Sequence, residues 1–138
     1  MRLDSAEARR RFATSPVLRL ATVSGDGRPH VVPCTFVVDD AGRIAIGIDN
    51  KPKSSTNLRR LRNIADNPRV SLLVDHYVDD WTRLWWARAD GLATVEWSGD
   101  AHTAHWKRLR AKYRQYIGQV LDGPIIVITV DSWTGWAF

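Results

Sequence analysis

The sequence lacks several features that would assign it to a familiar class of protein. One cysteine, Cys34, stands among 138 residues, which excludes an internal disulfide and a cysteine-rich zinc site. No apolar run resembles a signal peptide or is long enough to span a bilayer. The GxGxxG and Walker phosphate loops, the HExxH metal motif and the GxSxG nucleophile motif are all missing. We therefore expect a soluble cytoplasmic protein with no membrane partner, and we interpret Cys34 as a small buried residue.

Length and charge narrow the choice further. A chain of 138 residues fits one domain, residues 1–138, with an adequate core. The formal net charge of +5 suits an anionic partner. Because the arginines are dispersed and form no basic tail, we favour a small anionic ligand and expect no nucleic-acid partner.

Periodicity and turn signals predict a strand-rich chain. Pro33 lies inside one predicted strand and indicates an edge, a bulge or a place where a ligand replaces a ladder hydrogen bond. Gly91 lies inside another and indicates a bulge or a close backbone approach. Six strands and three helices predict a mainly β, α+β domain, most simply a small barrel. The predicted strands are residues 17–23, 30–38, 43–49, 70–74, 84–96 and 124–130. The predicted helices are residues 6–13, a basic helix that begins near residues 54–56 and is closed by Asn67-Pro68, and residues 101–116.

Residues 51–75, KPKSSTNLRRLRNIADNPRVSLLVD, carry the most distinctive local pattern. Arg60 and Arg62 flank the apolar stripe of the predicted helix on opposite sides, and Arg59 points away from it. Free N–H groups at a helix start, beside lysines, hydroxyls and arginines, make a phosphate seat. A solvated basic helix is the alternative interpretation. The helix caps are Ser54, Ser55 and Thr56, and the stripe is Leu58, Leu61, Ile64 and Ala65.

Two other groups of polar residues have a spacing or composition that could form a site. His102 and His105 are three residues apart on a predicted helix, a spacing that suits a metal ion. Without a third ligand in the sequence we interpret them as a surface pair and predict no metal site. Asp75, Asp79 and Asp80 fit a solvated loop better than a pair of catalytic carboxylates.

The order of the motifs is more specific than any one of them. It runs LATVSGDGRPHVVP, IAIGID, the basic helix, NPRVSLLVD and then a strand with the pattern RxxGxA. This order resembles the flavin/deazaflavin oxidoreductase superfamily, which includes the pyridoxamine phosphate oxidase-like proteins. The segments Asp80-Trp81, Leu84-Trp85-Trp86 and DSWTGW at residues 131–136 are similar to its branch of probable coenzyme F420-dependent enzymes. The resemblance implies an FMN-binding-like split β-barrel with peripheral helices.

The resemblance also implies a function. A homodimer would bind coenzyme F420 at its interface and transfer a hydride between the reduced deazaflavin and an unidentified small organic substrate. The cofactor would carry the chemistry, so no catalytic side chain is expected. The alternatives are an FMN-dependent reductase or oxidase of the same fold and a non-catalytic flavin or haem carrier.

The residues expected around the cofactor follow from the same resemblance. In the family an S-R-K-x-R-type segment holds the cofactor phosphate, and it aligns here with residues 58–62. Leu58 and Arg60 therefore replace the family serine and lysine. The expected cofactor-binding residues are Val32 and Pro33 near the ring, Lys53, Ser54, Ser55, Arg59 and Arg60 near the phosphate, and Trp85 and Trp86 as a wall on the substrate side, possibly that of the partner chain.

Overall fold

The computed structural model describes residues 1–48 and 55–138, and in these ranges seven strands form one antiparallel sheet. The helices are α1 (Ser5–Thr14), α2 (Ser55–Asp66) and α3 (Asp100–Lys112). The spatial order of the strands is β2-β1-β5-β6-β7-β4-β3. This curled half-barrel with helices at its periphery confirms the expected split-barrel α+β fold. The strands are β1 (Leu18–Val23), β2 (Pro29–Cys34), β3 (Val37–Val38), β4 (Ile44–Gly47), β5 (Arg69–His76), β6 (Trp85–Glu96) and β7 (Ile125–Ala137).

Three predicted boundaries were wrong. The strand expected at residues 30–38 is divided into β2 and β3, with a break at residues 35–36. The last strand was predicted to end at residue 130 but continues to Ala137, because it pairs with the whole of β6, where Trp85 lies opposite Ala137. The helix predicted at residues 101–116 ends at Lys112 and is followed by a short 3-10 turn, Arg114–Tyr116. The expectation for Asp49 lies outside the described residues.

The two strand-breaking residues behave as expected. Pro33 is on β2, at one edge of the sheet, where a missing N–H donor is tolerated. The register of β6 against β7 shifts between Asp90 and Gly91. A methyl group at Gly91 would lie 2.2 Å from the Thr129 carbonyl oxygen, so this position requires glycine.

The sheet divides the interior into two packed regions. The main core lies on the inner face of the barrel and includes Leu20, Leu72, Ile44 and Ile46. A second core lies under α3. Its members are Val37, Ala45, Trp106, Leu109, Tyr113, Leu121, Ile125 and Val127. β4 is buried on both faces because it separates the two regions.

Helix α2 is rotated relative to the predicted stripe. Ile64 is buried as expected, but Ala65 is exposed. Asn63 is buried in its place and its amide nitrogen donates to the Thr22 hydroxyl at 3.0 Å. The inward face is therefore turned toward the side of Asn63, which also brings Arg60 into a half-buried position.

Helix α3 buries both of its histidines, so the prediction of a surface pair was wrong. His102 and His105 are 7% and 3% exposed. They share the buried stripe with Trp106 and Leu109, at the helical spacing of positions 102, 105, 106 and 109. No helix in the described ranges is long and apolar enough to cross a membrane.

Candidate functional site

A groove with a cavity volume of about 490 Å³ opens where β2 and β4 end. Its size is in the range of small-molecule sites in proteins. Arg60 of α2 lies on one side, and Tyr113 and Tyr116 lie on the other. The remaining lining residues are Pro16, Val17, Pro33, Cys34, Thr35, Ile46, Gly47, Ile48, Gln115 and Gln119.

The break between β2 and β3 forms one end of the groove. Thr35 and Phe36 leave the ladder there, and the backbone N–H of Phe36 donates to the Tyr113 hydroxyl at 3.1 Å. The same hydroxyl lies 2.8 Å from the Pro16 carbonyl oxygen. Tyr113 thus supplies the hydrogen bonds that the interrupted ladder leaves unmade, and it fixes the wall of the groove.

Strand β2 presents alternate residues to the interior. His30 and Val32 are half-buried and Cys34 is buried, while Val31 and Pro33 are exposed. This confirms that His30, Val32 and Cys34 share a face, as strand periodicity predicts. Burial raises the pKa of the Cys34 thiol, although the charge of Arg60 opposes this shift. The thiol is therefore protonated at neutral pH, as the interpretation of a small buried strand residue requires.

Arg60 has an unsatisfied donor beside the groove. Its Nη1 donates to Cys34 Sγ at 3.2 Å. Its Nε is buried and has no hydrogen-bond partner among the described residues. Leaving a buried charged donor unpaired is unfavourable, so a ligand that supplies an acceptor here would be bound more tightly. This orphaned donor fits a cofactor with a phosphate or a polar ring edge.

A second cavity of about 370 Å³ lies on the other side of α2. Its basic side chains are Arg28, Arg59 and Arg62, and it also contains His30. The pKa of His30 is lowered by desolvation first, and then by the charges of Arg59 and Arg60. Arg59 and Arg60, predicted to share one phosphate seat, therefore line different cavities of the chain. The acidic residues of this cavity are Asp26 and Asp66.

Trp85 and Trp86 lie at the start of β6, and neither lines the groove of its own chain. The Trp85 ring stacks on His76 at a centroid distance of 6.2 Å. Trp86 lies beside Leu73 and Tyr77 in a shallow depression. A role at the substrate side thus requires a second copy of the chain and stays a prediction. Lys53 and Ser54 lie outside the described residues, and Ser55 begins α2 without a described side chain.

Sequence reasoning missed the hydroxyl groups of the groove. The Thr35 hydroxyl lies 2.7 Å from the Tyr116 hydroxyl. Tyr113 and Tyr116 follow the apolar stripe of α3 at a spacing of three residues, which is a visible signal. Their destination was not visible, because it depends on how α3 packs against β4.

The half-barrel with a groove at its open edge defines a protein of the split-barrel class. The family model described as pyridoxamine 5'-phosphate oxidase matches residues 5–137. The chain therefore belongs to the pyridoxamine 5'-phosphate oxidase family, which confirms the resemblance identified from the sequence.

Individual proteins are similar to this chain over part of the sequence or in the fold. The chain is 42% identical over 57 residues to the 5a,11a-dehydrotetracycline/5a,11a-dehydrooxytetracycline reductase of Streptomyces rimosus. That match covers 41% of this chain and 38% of the reductase, so it spans well under half of either. A FAD-binding protein from Mesorhizobium loti has a TM-score of 0.74 at 21% identity, with 98% of this chain and 95% of that chain covered. A heme binding protein from Mycobacterium smegmatis has a TM-score of 0.73 at 21% identity, with 99% and 55% covered. At these identities the two structures show the fold alone.

Proposed function

We propose that the protein is an oxidoreductase that binds coenzyme F420 in the groove and transfers a hydride between the reduced deazaflavin and a small organic substrate. The observation that carries the proposal is the half-buried Arg60, whose buried Nε faces no acceptor within the described part of the chain. Support comes from the family, from the partial match to a reductase and from the motifs similar to the F420 branch.

The lining of the groove suits a flat ring with polar edges. Pro33, Ile46 and Ile48 supply apolar surface, and Arg60 supplies a fixed positive charge beside them. A preorganised cation in a partly dry site stabilises negative charge more strongly than it would in water. When bound, the cofactor supplies the hydride, and the side chains hold the ring and exclude water. Arg59 would serve the phosphate from the neighbouring cavity.

Reduction of an organic substrate also requires a proton. Tyr113 is engaged with the backbone of Phe36 and Pro16, and the Cys34 thiol keeps its proton because burial raises its pKa. Tyr116 reaches the groove and lies 2.7 Å from the Thr35 hydroxyl. We assign Tyr116 the role of donating that proton, with Thr35 orienting it, and so depart from the expectation that no side chain takes part in the chemistry.

A second copy of the chain is part of the proposal. On the outer face of the sheet Val31 of β2 is 62% exposed, and Tyr77, which follows β5, is 65% exposed. We propose that a second copy of the chain covers such exposed apolar side chains. A homodimer would also allow Trp85 and Trp86 of one chain to approach the groove of the other. Light scattering at low concentration tests this: a stable monomer with full cofactor affinity would contradict it.

Cofactor titration distinguishes the proposed F420-dependent enzyme from an FMN-dependent enzyme and from a flavin or haem carrier. The absorbance spectrum of the purified protein is recorded first, and the protein is then titrated with F420 and with FMN. Tighter binding of F420 than of FMN supports the proposal. A flavin spectrum with tight FMN binding would instead indicate an FMN-dependent reductase or oxidase, and a haem spectrum would indicate a carrier.

A further inference from the structure

A cluster of charged side chains lies under α3, away from the groove. His105 Nε2 is 3.0 Å from Asp39 Oδ2, and His105 Nδ1 is 2.8 Å from Glu96 Oε1. The His105 and Asp39 side chains are 4% and 7% exposed, and that of Glu96 is 20% exposed. Both nitrogens of one buried ring therefore face carboxylate oxygens from two different elements, the turn after β3 and the end of β6.

The surroundings of Asp39 define its protonation. Its Oδ1 accepts the backbone N–H groups of Ala41 at 3.0 Å and Arg43 at 2.9 Å, and its Oδ2 accepts Arg43 Nε at 3.0 Å. Burial would raise the pKa of Asp39, but the hydrogen bonds from His105 and Arg43 outweigh burial and lower that pKa. Asp39 is thus an ionised acceptor, so His105 Nε2 must carry a proton.

The contact with Glu96 determines the protonation of the second ring nitrogen of His105, Nδ1. Glu96 Oε1 lies 2.8 Å from Nδ1, and a carboxylate oxygen accepts hydrogen bonds but does not donate them, so the favourable contact is with a protonated Nδ1. We propose that His105 is a doubly protonated imidazolium that bridges Asp39 and Glu96, and that this positioning residue holds α3 and, through α3, one wall of the groove.

The charges around the ring are consistent with this state. Arg43 is paired with Asp39, and on the same helix Arg108 pairs with Asp40 at 2.7 Å. The two carboxylates at the ring are then balanced by Arg43 and the imidazolium. Loss of the Nδ1 proton would leave a lone pair facing the Glu96 oxygen and one carboxylate charge uncompensated.

Contacts beside His105 connect the cluster to the groove. Trp106 packs against Gly47, where a methyl group would lie 2.5 Å from Trp106 Cη2. Gly47 lines the groove, and so does Tyr113 at the end of α3. A shift of α3 is therefore transmitted to the groove through a contact that has no free space to absorb it.

The test uses the ring ¹⁵N resonances of the unliganded protein. His102 is the internal reference, because its Nε2 faces one carbonyl oxygen, that of Gly123, at 2.7 Å. At pH 7 we expect the doubly protonated pattern for His105, and in Glu96→Gln we expect a singly protonated ring, because the neutral amide removes one of the two carboxylates that stabilise the imidazolium and can itself donate to Nδ1. A singly protonated His105 ring in the wild type, or a ring unchanged in Glu96→Gln, would overturn the imidazolium.

A second measurement tests the connection to the groove. In the wild type the Gly47 amide resonance should move as rising pH removes the His105 ring proton, and in Glu96→Gln this movement should be lost over the same range. His102→Gln is the matched control and should keep the wild-type movement. If Gly47 does not respond while the His105 ring loses its proton, the positioning role is wrong. None of these readouts requires a cofactor or a substrate.

Discussion

Arg60→Gln is the sharpest test of the site. The substitution removes a half-buried charge and an orphaned Nε while keeping a side chain of similar polarity. A charge-assisted contact to a phosphate or ring oxygen contributes about 1.5–3 kcal/mol. Each 1.4 kcal/mol changes an equilibrium constant about tenfold, so F420 affinity should fall about 10- to 150-fold.

The stability of the unliganded protein should respond differently. Because Arg60 Nε has no partner in the described part of the chain, its removal takes away an unfavourable buried group, and the hydrogen bond lost among the described residues is the one to Cys34. We expect the free energy of unfolding to change by less than about 1 kcal/mol. The opposite result, lower stability with unchanged affinity, would show that Arg60 is structural.

Affinity is measured by titration of the purified variants, and stability by thermal unfolding. Arg110→Gln is the matched control, because it changes the net charge equally at an exposed position of α3 outside the groove. Arg60→Lys restores the lysine of the related segment and should lose less affinity than Arg60→Gln, since it keeps the charge but not the planar fork. Wild-type affinity of folded Arg60→Gln for both F420 and FMN would refute the assignment of this site.

Three further predictions concern the groove. Cys34→Ser should keep the rate at which substrate oxidises reduced F420 within about tenfold of the wild-type rate, a barrier change of roughly 1.4 kcal/mol, because the protonated thiol takes no part in the reaction. Loss of activity with intact F420 binding would require covalent catalysis. Tyr116→Phe should slow the same reaction about 10²-fold while F420 affinity stays within about threefold, because it removes the proton donor and leaves the ring site unchanged; unchanged turnover would exclude Tyr116 as the donor. Gly47→Ala should lower the free energy of unfolding by about 1–3 kcal/mol, measured by denaturant titration, because the new methyl group would lie 2.5 Å from the Trp106 ring; a variant as stable as the wild type would show that the α3 contact is loose.

Local chemistry in the sequence predicted most of the helices and strands, and the resemblance carried by the order of the motifs indicated the family. The Gly91 bulge, the edge position of Pro33 and the alternation of β2 follow from steric rules that act over a few residues. The order of the motifs identified the split barrel, because the order of segments is itself a property of the sequence. The same rules misplaced Ala65, because the rotation of α2 about its axis depends on what it packs against.

Only the tertiary structure decided which residues meet. Arg59 and Arg60 are neighbours in the chain, yet a rotation of 100° between them sends one to each side of α2. The sequence alone could not distinguish His105 from a surface histidine, because its partners Asp39 and Glu96 are 66 and 9 residues away in the chain. Sequence periodicity predicts which face of a helix or strand is buried, whereas packing between distant segments determines what that face contacts. The groove, the hydroxyl pair of Thr35 and Tyr116, and the cluster around His105 all depend on such packing.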